Sequence, residues 1–183
     1  MFLAHAVAEA VVMAMLYQLA PYGSHVPSYG EVAAAVTKAS NEDPLFPENE
    51  SGSEATATIL VALAFHESSF HPNVIGDHGK SFGLYQIQPP TARVDGSLLL
   101  LPLNASYVAI DLIRQSFRHC EARPWPERLS WYVASNGCPS HPIIVKKSME
   151  RLILAQELFR KFFPKSTLPT KLPALPPAAP KAP

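Results

Sequence analysis

The spacing of apolar residues along the chain predicts a protein built mainly of helices. Residues 1–20 are almost entirely apolar, residues 30–39 are rich in alanine, and residues 53–67 form a second long apolar run. In residues 104–119 and 147–163, apolar positions recur every three or four residues, which is the period of an amphipathic helix. We therefore predict a mostly α fold with a helix in each of these segments.

Turn-forming residues separate these helices. The acidic, proline-containing segment 40–52 predicts a loop. Ser51 and Glu54 have the Ser-x-x-Glu spacing of a capping box, which would start the next helix near Ser53. Residues 71–90 hold three of the eight glycines and a Pro-Pro pair, so they are expected to form a structured loop with a small β element.

Proline marks the end of the predicted domain. Seven of the last twenty residues are proline and none is acidic, a composition typical of an extended and mobile segment. We therefore expect an N-terminal helical segment with the acidic loop, a core domain and a disordered tail, at residues 1–52, 53–163 and 164–183.

The apolar N-terminus has two interpretations. A secretory signal needs a positively charged start, and the first basic residue is Lys38. His5 and Glu9 interrupt the apolar run, which argues against a membrane span of about 20 apolar residues. We favour a core helix over residues 1–20, with an atypical export signal as the alternative.

Composition narrows the class of protein. The chain has 183 residues, of which 48% are hydrophobic, and this favours one domain with a substantial core. Fifteen basic side chains balance fifteen acidic ones, whereas a dedicated nucleic-acid binder usually has a strong basic excess. Nucleic acid is therefore not expected as a partner.

Glu67 is the residue at which the sequence first points to chemistry. In a helix it shares a side with Leu60 and Leu63, so that a carboxyl group ends an apolar stripe. Burial without a partner raises the pKa of a carboxyl group, and a carboxyl that keeps its proton can act as a general acid toward a glycosidic oxygen. The alternative is that Glu67 caps a loop amide or pairs with a cation.

The residues around Glu67 form a two-part motif. Glu-Ser-Ser-Phe-His-Pro at 67–72 is followed by Gly-Leu-Tyr-Gln-Ile-Gln-Pro at 83–89, with Gln86 nineteen positions after Glu67. The motif resembles the signature of the lytic transglycosylases, in the soluble lytic transglycosylase and goose-type lysozyme-like superfamily. In that signature, a catalytic Glu-Ser precedes a Gly-Leu-Met-Gln block. Residues 129–137 more weakly resemble the family's Ala-x-x-Tyr-Asn-x-Gly element.

The resemblance implies a lysozyme-like single domain with a sugar-binding cleft, in which Glu67 is the one catalytic acid and base. Tyr132 would face Glu67 across the cleft, while Trp131 beside it is expected to point inward. Tyr85, which stands where the family usually has Met, could pack on a sugar face. The implied substrate-binding residues are Gly83, Leu84, Tyr85, Gln86 and Tyr132. The resemblance implies no metal and no cofactor.

The chain departs from the family pattern at three places. Val133 stands where the family has Asn after the cleft tyrosine, and Asn136 comes three positions later. The segment between Glu67 and Gly83 is one residue longer than usual, and it has no clear equivalent of the serine that helps to hold the substrate's N-acetyl group. These departures bear on substrate positioning more than on the identity of the acid.

The reaction that the resemblance implies is cleavage of the MurNAc-GlcNAc β-1,4 bond in peptidoglycan glycan strands, with formation of 1,6-anhydromuramic acid. One alternative is a hydrolytic muramidase, which needs a second carboxylate. Asp77 or Asp95 would have to supply it, although the Gly-rich surroundings of Asp77 are typical of a turn. Another alternative is a non-catalytic glycan-binding module with a lysozyme-like fold.

The two cysteines leave three possibilities open. Cys120 and Cys138 are eighteen residues apart, and they would form a disulfide if the protein is exported. They could instead be buried thiols, or join His119 and His141 in a zinc site of irregular spacing. No known ligand spacing fits three further histidines: His66, His71 and His78.

The activity that the resemblance implies would place the protein in the periplasm or cell envelope, or in association with a phage particle. The expected partner is the glycan strand itself. A secretion or conjugation apparatus, or a phage assembly, could supply a further protein partner.

Overall fold

Helices make up most of the structure, a computed structural model that describes residues 6–19, 29–134 and 137–169. The elements in these ranges are α1 (Glu9–Leu19), α2 (Tyr29–Glu42), α3 (Gly52–Ser68), β1 (Ile75–Gly76), β2 (Ser81–Phe82), α4 (Pro89–Ala92), α5 (Gly96–Leu99), α6 (Pro102–His119), α7 (Ser130–Ala134) and α8 (Pro142–Phe162). A 3₁₀ turn over Trp125–Glu127 lies between α6 and α7.

The central element is α3, which is buried at every position from Gly52 to Ala64. It contacts α1, α2, α6 and α8. A helix that is buried on all sides lies inside its domain, with other elements packed on every face. The predicted mostly α, lysozyme-like single domain is thereby confirmed.

The N-terminal apolar segment contributes a core helix, as predicted. α1 buries Val12, Met15 and Leu16 in the same hydrophobic cluster as α2 and α3. Residues 1–5 and residue 20 of the predicted helix lie outside the described residues, and residues 6–8 precede α1 without being helical. Within the described ranges, no helix combines the length and the apolar character needed to cross a membrane.

Three helices are longer than the sequence predicts. α2 continues to Glu42, three residues into the predicted loop, whereas α6 begins at Pro102 and α8 begins at Pro142. Proline suits the first turn of a helix because its missing N–H would have no partner there in any case.

The predicted capping box at the start of α3 is wrong. Ser51 is the N-cap residue, but its side chain makes no capping hydrogen bond, and Glu54 is buried. The preceding loop passes directly over the start of the helix. A Cβ atom on Gly52 would come within 2.1 Å of the Phe46 carbonyl oxygen. Close packing, rather than a capping side chain, therefore encloses this end of α3.

The small β element lies where the glycine-rich segment predicts it. β1 and β2 are antiparallel, with Ile75 opposite Phe82 and Gly76 opposite Ser81. Asp77 lies in the turn between them with φ 49°, and its carboxylate accepts a hydrogen bond from the Ser81 hydroxyl. The predicted turn role of Asp77 is confirmed.

The chain returns to the core after α8. Leu168 packs against the hydrophobic core and Pro169 is buried. The start of the predicted tail is thus attached to the domain. Residues 170–183 lie outside the described residues.

A disulfide joins Cys120 at the end of α6 to Cys138 in the loop before α8, with the two Cα atoms 5.5 Å apart. Of the three possibilities that the sequence leaves open for these cysteines, the structure contains the disulfide.

Candidate active site

Glu67 lies in the last turn of α3, where the helix ends abruptly. Ser69 and Phe70 have left-handed backbone conformations, with φ of 50° and 66°. Their N–H groups donate to the carbonyl oxygens of Phe65 and Ala64, which closes the helix end. The Phe70 ring is buried. The main chain at Glu67 is therefore held by the cap that follows it.

The motif loop, residues 83–88, is tied to this end of α3. The Ser68 hydroxyl donates a hydrogen bond of 2.8 Å to the Leu84 carbonyl oxygen. Gly83 has φ 72°, and a Cβ atom there would come within 1.8 Å of the Leu99 carbonyl oxygen. Only glycine fits, because any side chain would meet both a strained backbone and a fixed main-chain atom.

Tyr85 packs inside the domain, so the expectation that its ring lies on a sugar face is wrong. The residue is 1% exposed, and its hydroxyl shares a hydrogen bond of 2.9 Å with the Ser106 hydroxyl. Burial raises the pKa of Tyr85. Leu84 and Gly83 are buried as well. These three residues shape the loop from behind and present no side chain to a ligand.

Gln86 holds the motif loop against β1. Its side-chain N–H groups donate to the carbonyl oxygens of Val74 at 3.1 Å and Gly83 at 2.9 Å. Its amide oxygen lies so close to Gly76 that a Cβ atom there would approach to 2.1 Å. Gln86 is thus a structural residue of the loop, and it also lines the small cavity described below.

Tyr132, on α7, connects that helix to the motif loop. Its hydroxyl donates to the Tyr85 carbonyl oxygen at 3.0 Å, and its main-chain N–H donates to the Ser116 hydroxyl at 2.9 Å. Burial raises the pKa of Tyr132 well above its usual value, and the negative charge of Glu67 raises it further. The phenol therefore keeps its proton, which it donates to the Tyr85 carbonyl oxygen.

A small cavity of about 30 Å³ opens between the motif loop and α7. This volume holds one water molecule or a small substituent of a sugar. The Trp131 ring forms part of the wall and stacks on His119, with ring centres 5.1 Å apart. Trp131 is thus not simply turned inward, as the sequence suggested. The lining residues are Gln86, Ile87, Gln88, Thr91, Leu112, Trp131 and Tyr132.

A larger groove of about 350 Å³ lies elsewhere, between residues 48–51 and 165–167. It contains none of the motif residues. Its lining contains charged side chains of both signs, namely Glu48, Glu50 and Lys165. Size alone therefore does not identify the site of chemistry in this domain.

Arg151, on α8, is the charged partner of Glu67. Its Nε and Nη2 atoms donate to the same carboxylate oxygen, Oε1, at 2.9 and 2.7 Å. The two side chains are 7% and 19% exposed. The sequence left open a cationic partner for Glu67 but did not identify Arg151, because the two residues lie 84 positions apart and nothing in the α8 pattern distinguishes this arginine.

The environment of His66 reflects the same cluster. Partial burial lowers the pKa of His66 from its usual 6.5, and the nearby positive charge of Arg151 lowers it further. Glu150 acts in the opposite direction.

The two carboxylates proposed as helpers of a hydrolase are engaged in local structure. Asp95 is the N-cap of α5 and accepts a hydrogen bond of 2.8 Å from the Ser97 N–H. Hydrogen bonds from Ser97 lower the pKa of Asp95. The Asp77 carboxylate is bound by Ser81 in the hairpin turn. Both side chains have a structural task of their own.

In the parts of the chain that the structure describes, no three His, Cys, Asp or Glu side chains come together as a metal site would require. The Glu67 carboxylate pairs with the Arg151 guanidinium, while the Tyr132 phenol and the Trp131 ring line the small cavity. Such a set suits proton transfer to a polar ligand.

The comparisons with known proteins identify a family. The sequence model of the transglycosylase SLT domain matches residues 44–141, which contain Glu67, the motif loop and Tyr132. No curated protein and no solved structure matches the chain. The family acts on peptidoglycan glycan strands. Since the match covers just over half of the 183 residues, the chain belongs to the transglycosylase SLT domain family.

Proposed function

We propose that the protein is a peptidoglycan lytic transglycosylase that cleaves the MurNAc-GlcNAc β-1,4 bond, with Glu67 as acid and then base. The observation that carries the proposal is the position of the Glu67 carboxyl group. It is sheltered at the end of α3, beside the motif loop and Tyr132, and its Oε2 atom accepts no hydrogen bond from any described residue. An open oxygen of this kind is what transfer of a proton to a ligand requires.

The reaction has two proton transfers. In the first, Glu67 gives the proton on Oε2 to the glycosidic oxygen, the bond to the muramic anomeric carbon breaks, and the N-acetyl oxygen attacks that carbon. In the second, the Glu67 carboxylate takes the proton of the C6 hydroxyl, whose oxygen displaces the N-acetyl oxygen and closes the 1,6-anhydro ring. Glu67 ends protonated, ready for the next turnover.

The engagement of Asp77 and Asp95 favours this route over hydrolysis. A hydrolase of the usual kind needs two carboxyl groups that flank the bond. Here both additional candidates already accept hydrogen bonds within their own turns. Hydrolysis remains the alternative to test. The two reactions can be distinguished by mass, because a 1,6-anhydro product is lighter than the hydrolysed product by one water molecule.

One observation favours a non-catalytic glycan-binding module instead. Arg151 binds Glu67 through two hydrogen bonds, and a carboxylate engaged permanently with a cation could serve structure alone. Binding of glycan strands without turnover, under conditions where the protein is folded, would establish this second function.

The test is digestion of purified peptidoglycan followed by mass analysis of the fragments. We expect 1,6-anhydromuropeptides from the wild-type protein and none from Glu67→Gln, with unchanged folding of the variant. Glu157→Gln is the matched control, because Glu157 is exposed on α8. Full activity of Glu67→Gln would contradict the proposal, and products that carry the additional water would identify a muramidase.

The substrate sets the proposed location. Peptidoglycan lies in the cell envelope, so we infer that the protein acts in the periplasm or envelope, or as part of a phage particle. A secretion or conjugation apparatus, or a phage assembly, would be a suitable protein partner. Co-purification from envelope fractions, with a cytoplasmic protein as control, tests this location.

A further inference from the structure

The guanidinium group of Arg151 is held at all three of its nitrogen atoms. Nε and Nη2 donate to Glu67 Oε1, and Nη1 donates to the Lys147 carbonyl oxygen at 2.7 Å, within the same helix. The side chain is 7% exposed. A buried group that is held at each of its nitrogen atoms has a defined position, so it can fix the position of the carboxylate that it binds.

Both hydrogen bonds converge on one oxygen. Arginine commonly binds a carboxylate with one nitrogen to each oxygen, whereas here Oε1 takes both and Oε2 takes none from the described residues. We propose that Arg151 is a positioning residue that occupies Glu67 Oε1, and thereby reserves Oε2 for proton transfer to and from the substrate. This inference rests on the proposed function.

The arrangement serves both protonation states of Glu67. When Oε2 carries the proton, Oε1 is a carbonyl oxygen that still accepts both Arg151 hydrogen bonds. After the first proton transfer the carboxyl group is negative, and a buried cation in contact with it lowers the energy of that state. Arg151 thus stays in place through the cycle, while only the proton on Oε2 moves.

Among the described residues, other titratable groups also lie around this pair. His66 lies next to Glu67 on α3, and its pKa is lowered by burial and by the charge of Arg151 and raised by that of Glu150. The pKa of Tyr132, on α7, is raised by burial, Glu67 and Tyr85 and lowered by Arg151. Among these neighbours, Arg151 makes the two direct hydrogen bonds to Glu67. Arg151 also lies beyond residues 44–141, so the family match does not imply its role.

The experiment compares Arg151→Met and Arg151→Lys with wild type on soluble glycan strands, measuring kcat and KM separately. We expect Arg151→Met to lower kcat by about 100-fold, the loss typical of a catalytic group displaced by about 1 Å. KM should stay near the wild-type value. Arg151→Lys should recover part of the loss, because lysine keeps the charge but not the two-nitrogen fork. Arg160→Met is the matched control on the exposed face of α8, and it should leave both constants unchanged.

The outcomes separate this inference from the proposed function. If the wild-type protein is active and Arg151→Met keeps the wild-type kcat, whether or not its KM rises, the proposed role of Arg151 is overturned. The proposed transglycosylase function then still stands. A folded wild-type protein without turnover overturns both. If Arg151→Met does not fold, Arg151→Lys decides, and a kcat equal to that of wild type overturns the inference.

Discussion

The Tyr132 hydroxyl donates a hydrogen bond of 3.0 Å to the main-chain carbonyl of Tyr85, a residue 47 positions earlier in the chain. Through this bond, α7 holds the motif loop. Ser68 fixes the same loop from α3, through the Leu84 carbonyl. The loop is therefore held between two helices that are distant in sequence, and the cavity beside it depends on both attachments.

Tyr132→Phe should lower the free energy of unfolding by about 1 kcal/mol, because it removes one largely buried hydrogen bond and leaves the ring in place. It should also lower activity on glycan strands, since the motif loop loses an attachment. Urea unfolding and turnover measurements check the two effects. Tyr107→Phe is the control, because its hydroxyl contacts Glu42 at the exposed surface. A loss in Tyr107→Phe as large as in Tyr132→Phe would contradict the argument.

Gly83→Ala should be among the most destabilising single changes, costing more than about 4 kcal/mol or preventing folding. Its Cβ atom would come within 1.8 Å of the Leu99 carbonyl oxygen. Gly79→Ala is the matched control, since Gly79 also has positive φ, at 87°, but has no atom within 4 Å of the added Cβ. It should cost only about 1–2 kcal/mol from backbone strain. Thermal unfolding of both variants tests the difference, and equal losses would refute the packing explanation.

Removal of the Cys120–Cys138 disulfide should lower the free energy of unfolding by about 3 kcal/mol, the value expected for a closed loop of this length. The bond fixes the end of α6 to the segment that leads into α8. Denaturant unfolding of Cys120→Ser/Cys138→Ser, and of wild type with and without reductant, measures the loss. Reductant should not change the stability of the double variant. An equal effect on both proteins would show that the reductant acts elsewhere.

Trp131→Ala should raise KM for glycan strands by about tenfold, equivalent to about 1.4 kcal/mol of binding free energy. The indole ring forms part of the cavity wall and is supported from behind by His119. Trp131→Phe keeps an aromatic face and should stay close to wild type. Steady-state kinetics distinguish the cases, and an unchanged KM in Trp131→Ala would remove Trp131 from the binding surface.

The stability of the protein should fall as the pH drops below 6.5, partly through His66. The pKa of His66 is lowered in the folded state, so the unfolded chain binds the proton at a higher pH than the folded chain does. Protonation of His66 therefore favours unfolding. The contribution of neutral His66 to the free energy of unfolding is complete above pH 6.5 and is lost as the pH falls below that value. Urea unfolding above and below this pH should show a smaller change in the free energy of unfolding for His66→Gln than for the wild-type protein. A His66 pKa at or above 6.5, measured by NMR, would contradict the prediction.

Local patterns in the sequence predicted the parts of the site that local geometry decides. The apolar run that ends at Glu67 and the turn at Asp77 both depend on neighbours within a few residues. The prediction for Tyr85 was wrong, because the position of a residue in a motif does not tell whether its side chain points toward a ligand or toward the core. Its contact with Ser106, in another helix, decided that question.

The sequence by itself determined that this chain is mostly helical, and it singled out Glu67 by its place in a two-part motif. The tertiary structure alone decided that Arg151 meets Glu67, that Tyr132 bonds to the Tyr85 carbonyl, and that the two cysteines join. The physical reason is that periodicity reports which face of a helix is apolar. The contacts between side chains on different helices depend on how those helices are packed and aligned.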